Sequence, residues 1–174
     1  MADATQQKPA AAPARFRQAH PEDVYEIAGW IRSRRDCELW AGPWLPYPLD
    51  AELLPADIDL YGADSIAMVE KDRLVAFGQL MYVDTQRSHL ARIIVAPNER
   101  GRGRGRALIG ELIRRAREQG YACISLYVNR ANPAALALYR RFGFRRAPRP
   151  PGEQASSDSV YMLCRPDRLP TEPD

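Results

Sequence analysis

The spacing of hydrophobic and polar residues predicts strands in one set of segments and helices in another. Runs rich in apolar and β-branched residues predict strands, at 14–19, 65–70, 74–83, 90–95, 121–128, 144–146 and 160–164. The polar residues Lys71, Asp72 and Arg73 separate the second of these runs from the third. We therefore expect those two strands to form a hairpin.

The segment 104–119 has its apolar residues on one helical face, at positions 108, 109, 112, 113 and 116. Gly120 follows it and predicts its end. This helix lies between the predicted strands 90–95 and 121–128, so we expect a crossover unit with parallel strands, which indicates an α/β fold. Three shorter helices are predicted, one beginning at Pro21, one over 51–60 and one from Pro133 to Gly143 with Asn132 as its cap.

The segment 37–54 carries prolines and aromatic residues, and charged residues are sparse in its first half. We predict a loop there. Bulky aromatic side chains on a loop can wall a binding pocket or cover a core, and the pattern alone leaves both interpretations open. The aromatic residues concerned are Trp40, Trp44 and Tyr47.

A glycine-rich turn joins the strand 90–95 to the helix 104–119. Gly101, Gly103 and Gly105 alternate with arginines in this turn. The start of a helix has unpaired backbone N–H groups and the positive end of the helix dipole, so it attracts anions. We therefore predict a phosphate-binding turn. It is not a P-loop, because no hydroxyl residue follows Gly105, and it lacks the G-x-G-x-x-G spacing of a dinucleotide site.

An arginine- and glycine-rich stretch also occurs in disordered segments that bind RNA through charge. Such segments lie in polar, low-complexity sequence, whereas this stretch lies between a predicted strand and a predicted amphipathic helix. An RNA-binding protein is therefore the least favoured of the functions considered.

Composition narrows the class of protein. The chain has 174 residues, 45% hydrophobic and 27% charged, and a net charge of +3, which is too small to indicate nucleic-acid binding by itself. No apolar run reaches the roughly 20 residues of a membrane span. Three cysteines without paired spacing and two histidines predict no metal site and a reducing, cytoplasmic compartment. We expect one domain over 14–165, with disordered tails at 1–13 and 166–174.

Two motifs together resemble the GCN5-related N-acetyltransferase (GNAT) family. The strand, the glycine-rich turn and the helix resemble its acyl-CoA pyrophosphate loop, whose core pattern falls on Arg100, Gly103 and Gly105. The second motif is a strand followed by Asn-x-x-Ala-x-x-Leu-Tyr and Gly-Phe, which falls on 132–139 and 143–144. The resemblance implies a central mixed β-sheet of about six to seven strands flanked by about four helices.

The resemblance also implies acetyl-CoA as co-substrate and an amine that attacks its thioester directly. Tyr139 occupies the family position of the acid that protonates the CoA thiolate, although it can also simply pack under the helix. Asn132 can bind the pantetheine arm, cap the helix, or do both. The cofactor-binding residues implied in this way are Ile93, Ile94, Val95, Arg100, Gly101, Arg102, Gly103, Arg104, Gly105, Arg106, Asn132 and Tyr139.

His89 stands where many family members have a glutamate before the phosphate loop. A histidine with a pKa near neutrality can accept a proton from the amine, directly or through water. The alternative is an exposed histidine at a strand edge. The family resemblance also favours Trp40, Trp44 and Tyr47 as a wall of the acceptor site.

The leading hypothesis is an N-acetyltransferase that acts on a primary amine of a small molecule or a protein. A CoA-binding regulatory module without catalysis is the alternative that keeps the fold, and an RNA-binding protein ranks last because it lacks an RRM or KH pattern. No membrane partner is expected. Family members are often dimers, so a homodimer is one option for the assembly.

Overall fold

The computed structural model describes residues 14–153 and 155–166. The predicted tail at 1–13 lies outside these residues, as does the predicted tail at 166–174 apart from Pro166. The strands are β1 (Arg15–Gln18), β2 (Asp64–Glu70), β3 (Arg73–Tyr82), β4 (Arg87–Val95), β5 (Cys123–Asn129), β6 (Arg145–Arg146) and β7 (Ser159–Cys164). The α-helices are α1 (Pro21–Trp30), α2 (Arg34–Ala41), α3 (Leu54–Asp57), α4 (Arg104–Glu118) and α5 (Pro133–Arg141). In the described part of the chain, none of the helices has the length and apolar character of a membrane span.

The seven strands form one mixed sheet in the order β1-β2-β3-β4-β5-β7-β6. Strands β4 and β5 are parallel, and all other neighbouring pairs are antiparallel. Helix α4 connects the two parallel strands, as the sequence predicts. The mixed α/β fold and the seven-stranded sheet are confirmed, and the structure has five α-helices where about four were expected.

Apolar side chains form a core on each face of the sheet. Helices α4 and α5 cover one face through residues that include Leu108, Leu112 and Leu136. Helices α1, α2 and α3 cover the other face, where Ile27 and Leu54 are fully buried. These three helices form a core with β2, β3 and Ile94 of β4.

The predicted loop over 37–54 is partly wrong, because its first five residues belong to α2. Ser33 caps this helix: its hydroxyl accepts a hydrogen bond from the backbone N–H of Asp36 at 3.0 Å. The helix is short and its first turn is highly charged, which hides its apolar face from a search for periodicity. The helix predicted over 51–60 is a single turn, Leu54–Asp57.

Strand β4 contains a bulge that the alternation of residue types does not reveal. Phe77 pairs with Ile94 and Gln79 pairs with Ala91, so Gly78 stands opposite both Arg92 and Ile93. Arg92 adopts a φ of +51°, which is unfavourable for a side chain other than glycine. A Cβ atom on Gly78 would lie 2.6 Å from Ile93 Cδ1, so the glycine makes room for the bulged strand.

Candidate active site

The parallel strands β4 and β5 separate part-way along their length. Their pairing runs from Arg87 with Cys123 to Leu90 with Leu126. Beyond that pair, β4 continues to Val95 and β5 to Asn129 without pairing to one another. The divergence leaves an opening within the sheet, which we call the β4–β5 gap.

The backbone of β4 presents a hydrogen-bond donor to this gap. The N–H of Ala96 donates to Val75 O on β3 at 2.9 Å. Because successive residues of a strand direct their N–H groups to alternate edges, the N–H of Val95 is directed to the opposite edge, toward the gap. The side chains of Ile93 and Ile94 pack in the cores on opposite faces of the sheet. By the same alternation, the N–H of Ile94 is directed to β3, as that of Ala96 is.

The glycine-rich turn lies directly after β4 and begins α4. Gly101 and Gly103 have φ values of +74° and +77°, and Gly103 is the N-cap of α4. Apart from the adjoining residues of the chain, no atom of residues 14–153 and 155–166 lies within 4 Å of the position that a Cβ would take on either glycine, so a ligand can approach the backbone closely. The N–H groups of Arg104 and Gly105, in the first turn, have no intrahelical acceptor. The turn therefore has the geometry of an anion-binding site.

Three arginines of this turn make hydrogen bonds to nearby carboxylates or to a backbone carbonyl, and the fourth lies at the exposed surface of the turn. Arg104 donates to Glu70 at 2.6 Å, and Arg102 donates to the buried Glu99 at 3.3 Å. Arg100 donates to Val95 O at 3.4 Å. Arg106 lies exposed in the first turn of α4. Since the side chain of Arg104 is engaged by carboxylates, its contribution to anion binding comes from its backbone.

Helix α5 packs beside this turn and contains Tyr139. Leu138 lies 3.7 Å from the Cβ position of Gly105. Tyr139 is 8% exposed and packs edge-to-face on Phe144, with ring centroids 5.7 Å apart. Burial raises the pKa of its hydroxyl to about 12. Within 14–153 and 155–166, no residue hydrogen-bonds that hydroxyl, so it keeps its proton and has it available.

Asn132 caps α5, as predicted. Its side-chain oxygen accepts a hydrogen bond from the backbone N–H of Ala135 at 3.0 Å. The amide nitrogen of Asn132 is not used by this cap. The capping role and a contact with a ligand in the gap are therefore compatible.

His89 lies on the sheet face opposite α4, next to β5. Its Nδ1 is 2.8 Å from the hydroxyl oxygen of Ser125, and that hydroxyl donates to Ser88 O at 3.2 Å. The direction of the bond between His89 and Ser125 depends on the His89 tautomer: the Nδ1–H tautomer donates to the Ser125 oxygen and leaves the lone pair on Nε2.

The pKa of His89 is lowered to about 4, below the near-neutral value expected from its sequence context. Burial is the main cause, and the positive charges of Arg87 and Arg92 add to it, while Glu153 acts in the opposite direction. His89 is therefore a neutral hydrogen-bond acceptor at neutral pH.

The segment between β6 and β7 contacts this same face. Glu153 accepts hydrogen bonds from the Tyr127 hydroxyl and from Arg87, each at 2.7 Å. The guanidinium of Arg149 lies 5.4 Å from the centroid of the Tyr127 ring. These residues surround His89, whose ring centroid is 5.5 Å from that of Tyr127. The sequence does not single out Ser125, Tyr127 or Glu153 as site residues. The alternation of side chains along β5 is the signal that would place the first two on the His89 face.

Arg92 is a further residue of this face that the sequence did not reveal. Its guanidinium donates from Nη1 to Gln79 Oε1 at 2.7 Å, and its carbonyl accepts from Trp40 Nε1 at 2.8 Å. Gln79 is fully buried and donates in turn to Ser65 Oγ at 2.9 Å. Two buried polar side chains therefore hold Arg92 in place.

The three aromatic residues expected to wall the acceptor site have different environments. Trp40 is buried in the core, and its indole N–H also anchors β4 by donating to Arg92 O. Trp44 is 65% exposed. Tyr47 is half-buried, with the Arg34 guanidinium 5.9 Å from its ring centroid.

Comparison with known proteins places this arrangement in a family. A sequence model of the acetyltransferase (GNAT) family matches residues 21–144. This chain belongs to the GNAT acetyltransferase family. The matched residues include the whole β4–β5 gap, the glycine-rich turn and Tyr139, so the family assignment rests on the elements described above.

Several GNAT relatives match a part of the chain. The [ribosomal protein bS18]-alanine N-acetyltransferase of Escherichia coli K12 is 34% identical over 80 residues, which are 46% of this chain and 53% of that protein. The uncharacterized N-acetyltransferase YobR of Bacillus subtilis is 35% identical over 77 residues, or 44% of this chain and 31% of that protein. The alignments thus span about half or less of these relatives.

Solved GNAT structures match almost the whole fold. Spermidine N-acetyltransferase from Vibrio cholerae, in complex with CoA and spermine, has a TM-score of 0.69 at 20% identity and covers 89% of this chain and 96% of that one. The ribosomal-protein-S18-alanine N-acetyltransferase from Escherichia coli has a TM-score of 0.65 at 23% identity, covering 88% and 94%. At these identities the likeness establishes the fold.

Proposed function

We propose that this protein is an N-acetyltransferase that moves an acetyl group from acetyl-CoA to a primary amine by direct attack. One observation carries the proposal: β4 and β5 separate next to an anion-binding turn at the start of α4. The opening suits an elongated thioester, and the turn suits its phosphates. We also propose a single domain over 14–165. The thiols of Cys37, Cys123 and Cys164 are free, which supports a cytoplasmic location.

The glycine-rich turn binds the pyrophosphate of acetyl-CoA, chiefly through backbone N–H groups. Gly101 and Gly103 leave open space in front of the backbone, and the first turn of α4 supplies unpaired donors. Arg100, Arg102 and Arg106 add positive charge at the exposed side. The pantetheine arm lies in the β4–β5 gap, within reach of the Asn132 amide and of the β4 backbone at Ile93, Ile94 and Val95.

The Val95 N–H stabilises the charge that builds on the thioester carbonyl oxygen. As the amine nitrogen bonds to the carbonyl carbon, that oxygen becomes negative and a fixed donor lowers the energy of the transition state. The bulge at Arg92 and the hydrogen bond from Ala96 to Val75 fix the direction of this donor before substrate binds.

Tyr139 protonates the departing sulfur. When the carbon–sulfur bond breaks, its electron pair goes to sulfur, and the Tyr139 O–H transfers its proton there. A pKa raised to about 12 keeps Tyr139 protonated at neutral pH. The tyrosine regains a proton from solvent after the product leaves.

His89 accepts the proton that the amine loses. The unprotonated Nε2 of the neutral imidazole accepts a proton from the nitrogen of the attacking amine. That nitrogen becomes positively charged, and its protons strongly acidic, as the nitrogen–carbon bond forms. With a pKa of about 4, His89 does not deprotonate an ammonium ion in the ground state. The amine therefore enters the reaction in its neutral form.

Trp40, Trp44 and Tyr47 bound the acceptor side of the site in this proposal. The Vibrio cholerae relative acts on spermidine and the Escherichia coli relative on an alanine of a ribosomal protein, by name, and both kinds of acceptor present a primary amine. This shared chemistry supports an amine acceptor here.

The test is to incubate the protein with acetyl-CoA and a panel of primary amines, and to measure both thiol release and acetylated product by mass spectrometry. We expect stoichiometric release of CoA and formation of an acetyl amide. Binding of acetyl-CoA without any product across small amines, peptides and polyamines would instead indicate a CoA-binding regulatory module.

A further inference from the structure

Arg92 is a half-buried cation whose hydrogen-bond partners among the described residues are neutral. Its Nη1 donates to Gln79 Oε1 at 2.7 Å and makes longer contacts of 3.4 Å with Ile58 O and Met81 Sδ. Within the described ranges, no carboxylate forms an ion pair with Arg92. The charge of Asp59 acts on Arg92 without a hydrogen bond between them.

The remaining edge of the guanidinium has no partner in the described structure. Nε is buried and makes no hydrogen bond, and no described residue accepts one from Nη2. Nε and Nη2 form one side of the planar guanidinium, with two parallel N–H groups. This side matches the two oxygens of a carboxylate, the commonest bidentate partner of arginine.

We propose that the Nε–Nη2 edge of Arg92 binds a carboxylate of the acceptor, so that the substrate is a primary amine that also carries a carboxylate. This inference rests on the proposed acetyltransferase function and specifies its acceptor class. A polyamine, whose charges are all positive, is disfavoured at this arginine.

The surrounding structure holds Arg92 in an unfavourable conformation. Its φ of +51° lies in the left-handed region, and the indole of Trp40 fixes its carbonyl at 2.8 Å. Gln79, which anchors Nη1, is fully buried and is itself held by Ile58 O at 3.0 Å. A strained backbone combined with a half-buried guanidinium whose Nε has no hydrogen-bond partner is characteristic of ligand sites, where binding supplies the missing partner.

The position of Arg92 suits an acceptor that reacts in the β4–β5 gap. On β4 it lies three residues after His89 and three before Val95. Met81, which contacts Nη1 of Arg92, pairs with His89 across the β3–β4 ladder, so the two side chains share a face. The charge of Arg92 also lowers the pKa of His89. A carboxylate at Arg92 thus directs the amino group of a small molecule toward His89.

The experiment compares pairs of acceptors that differ in this charge, with rates expressed per concentration of neutral amine, because a carboxamide also lowers the pKa of the amino group. Amino acids and their carboxamides, such as alanine with alaninamide and β-alanine with β-alaninamide, are tested for kcat/KM with the wild type, Arg92→Gln and Arg92→Lys. We expect the wild type to prefer the carboxylate member of at least one pair by about 30-fold or more, the range for a buried charge pair that loses one partner. Arg92→Gln abolishes the preference, and Arg92→Lys keeps part of it.

Arg117→Gln serves as the control, because Arg117 is exposed on α4, on the other side of the sheet. It keeps the wild-type preference. A variant that is merely destabilised lowers the rates for both members of a pair together, so the ratio between them separates recognition from folding. The carboxylate proposal is overturned if the wild type uses the carboxamides as well as, or better than, the amino acids. It is also overturned if the ratio of kcat/KM between the two members of each pair is unchanged in Arg92→Gln.

Measuring acetyl-CoA binding shows whether only the role of Arg92 is wrong or whether the proposed acetyltransferase function is wrong as well. A wild type that binds acetyl-CoA and acetylates carboxamides or polyamines remains an acetyltransferase, and only the role of Arg92 is then contradicted. A wild type that neither binds acetyl-CoA nor forms product contradicts both proposals.

Discussion

Leu90 on β4 and Leu126 on β5 are the last residues that pair across the parallel strands. Both side chains are buried under α4 and α5, so the core on that face is continuous up to the point where the strands separate. The opening beyond this pair is therefore held by packing on one side and by the bulge of β4 on the other. Because the gap is already open, the ligand that we propose for it would not have to form it first.

Tyr139→Phe tests the acid. We expect kcat to fall by about 100-fold or more, the usual contribution of a general acid, with little change in acetyl-CoA affinity. Thermal stability should change little, because no described residue hydrogen-bonds the Tyr139 hydroxyl. Tyr121→Phe, at a half-buried tyrosine packed against the same core, is the control and should keep full activity. A Tyr139→Phe enzyme with wild-type kcat would remove Tyr139 from the chemistry.

His89→Gln tests whether the folded protein lowers the pKa of this histidine. Its pKa of about 4 lies below the ordinary 6.5, so the unfolded chain binds this proton more readily than the folded one. Stability is therefore lost as the pH falls from about 6.5 to 4, by on the order of 3 kcal/mol from this group. We expect His89→Gln to lose much less stability than the wild type over this range, measured by urea unfolding at each pH.

The control for this measurement is His20→Gln, which replaces the exposed histidine before α1. It should follow the wild-type acid dependence. Parallel curves for the wild type and His89→Gln would show that His89 titrates alike in the folded and unfolded chain.

Trp40→Phe tests whether the hydrogen bond from the Trp40 indole to Arg92 O holds the bulge of β4 in place. It removes the 2.8 Å hydrogen bond to Arg92 O, and we expect the free energy of unfolding to fall by about 1–3 kcal/mol. The KM for the acceptor should rise while the affinity for acetyl-CoA stays the same, because α2 contacts β4 on the side where we propose that the acceptor binds. Trp30→Phe, at a half-buried tryptophan packed on the same core, should leave the acceptor KM unchanged. An equal effect of the two variants on acceptor KM would argue against a specific anchor.

The sequence predicts most of the fold because the ends of its helices and its turns depend on residues that are close together in the sequence. Asn132 and Pro133 begin α5 as expected, and Gly120 follows α4 with a φ of +81°. The hairpin turn at Lys71 and Asp72 is also confirmed, with both residues at positive φ. The apolar face of α4, read from its spacing, is the face that is buried.

The sequence does not predict the features that depend on register between distant segments. The bulge at Arg92 exists because β3 and β4 slip by one residue at Gly78, and nothing within β4 itself indicates it. The contact of Glu153 with Tyr127 joins a proline-rich segment to β5 and has no local signal. Helix α2 was missed although Ser33 and Asp36 have the spacing of a capping box, so that signal was available.

The most direct test of the whole account is calorimetric titration of acetyl-CoA into the wild type, Gly103→Glu and Gly120→Glu. Both glycines have a positive φ and open space around them, but Gly103 begins α4 and Gly120 follows its end. We predict micromolar binding to the wild type and to Gly120→Glu, and a loss of more than about 100-fold in Gly103→Glu, where a carboxylate takes the place of the phosphates. Wild-type affinity in Gly103→Glu, or no binding to the wild type, would contradict the assignment of the glycine-rich turn as the acetyl-CoA site.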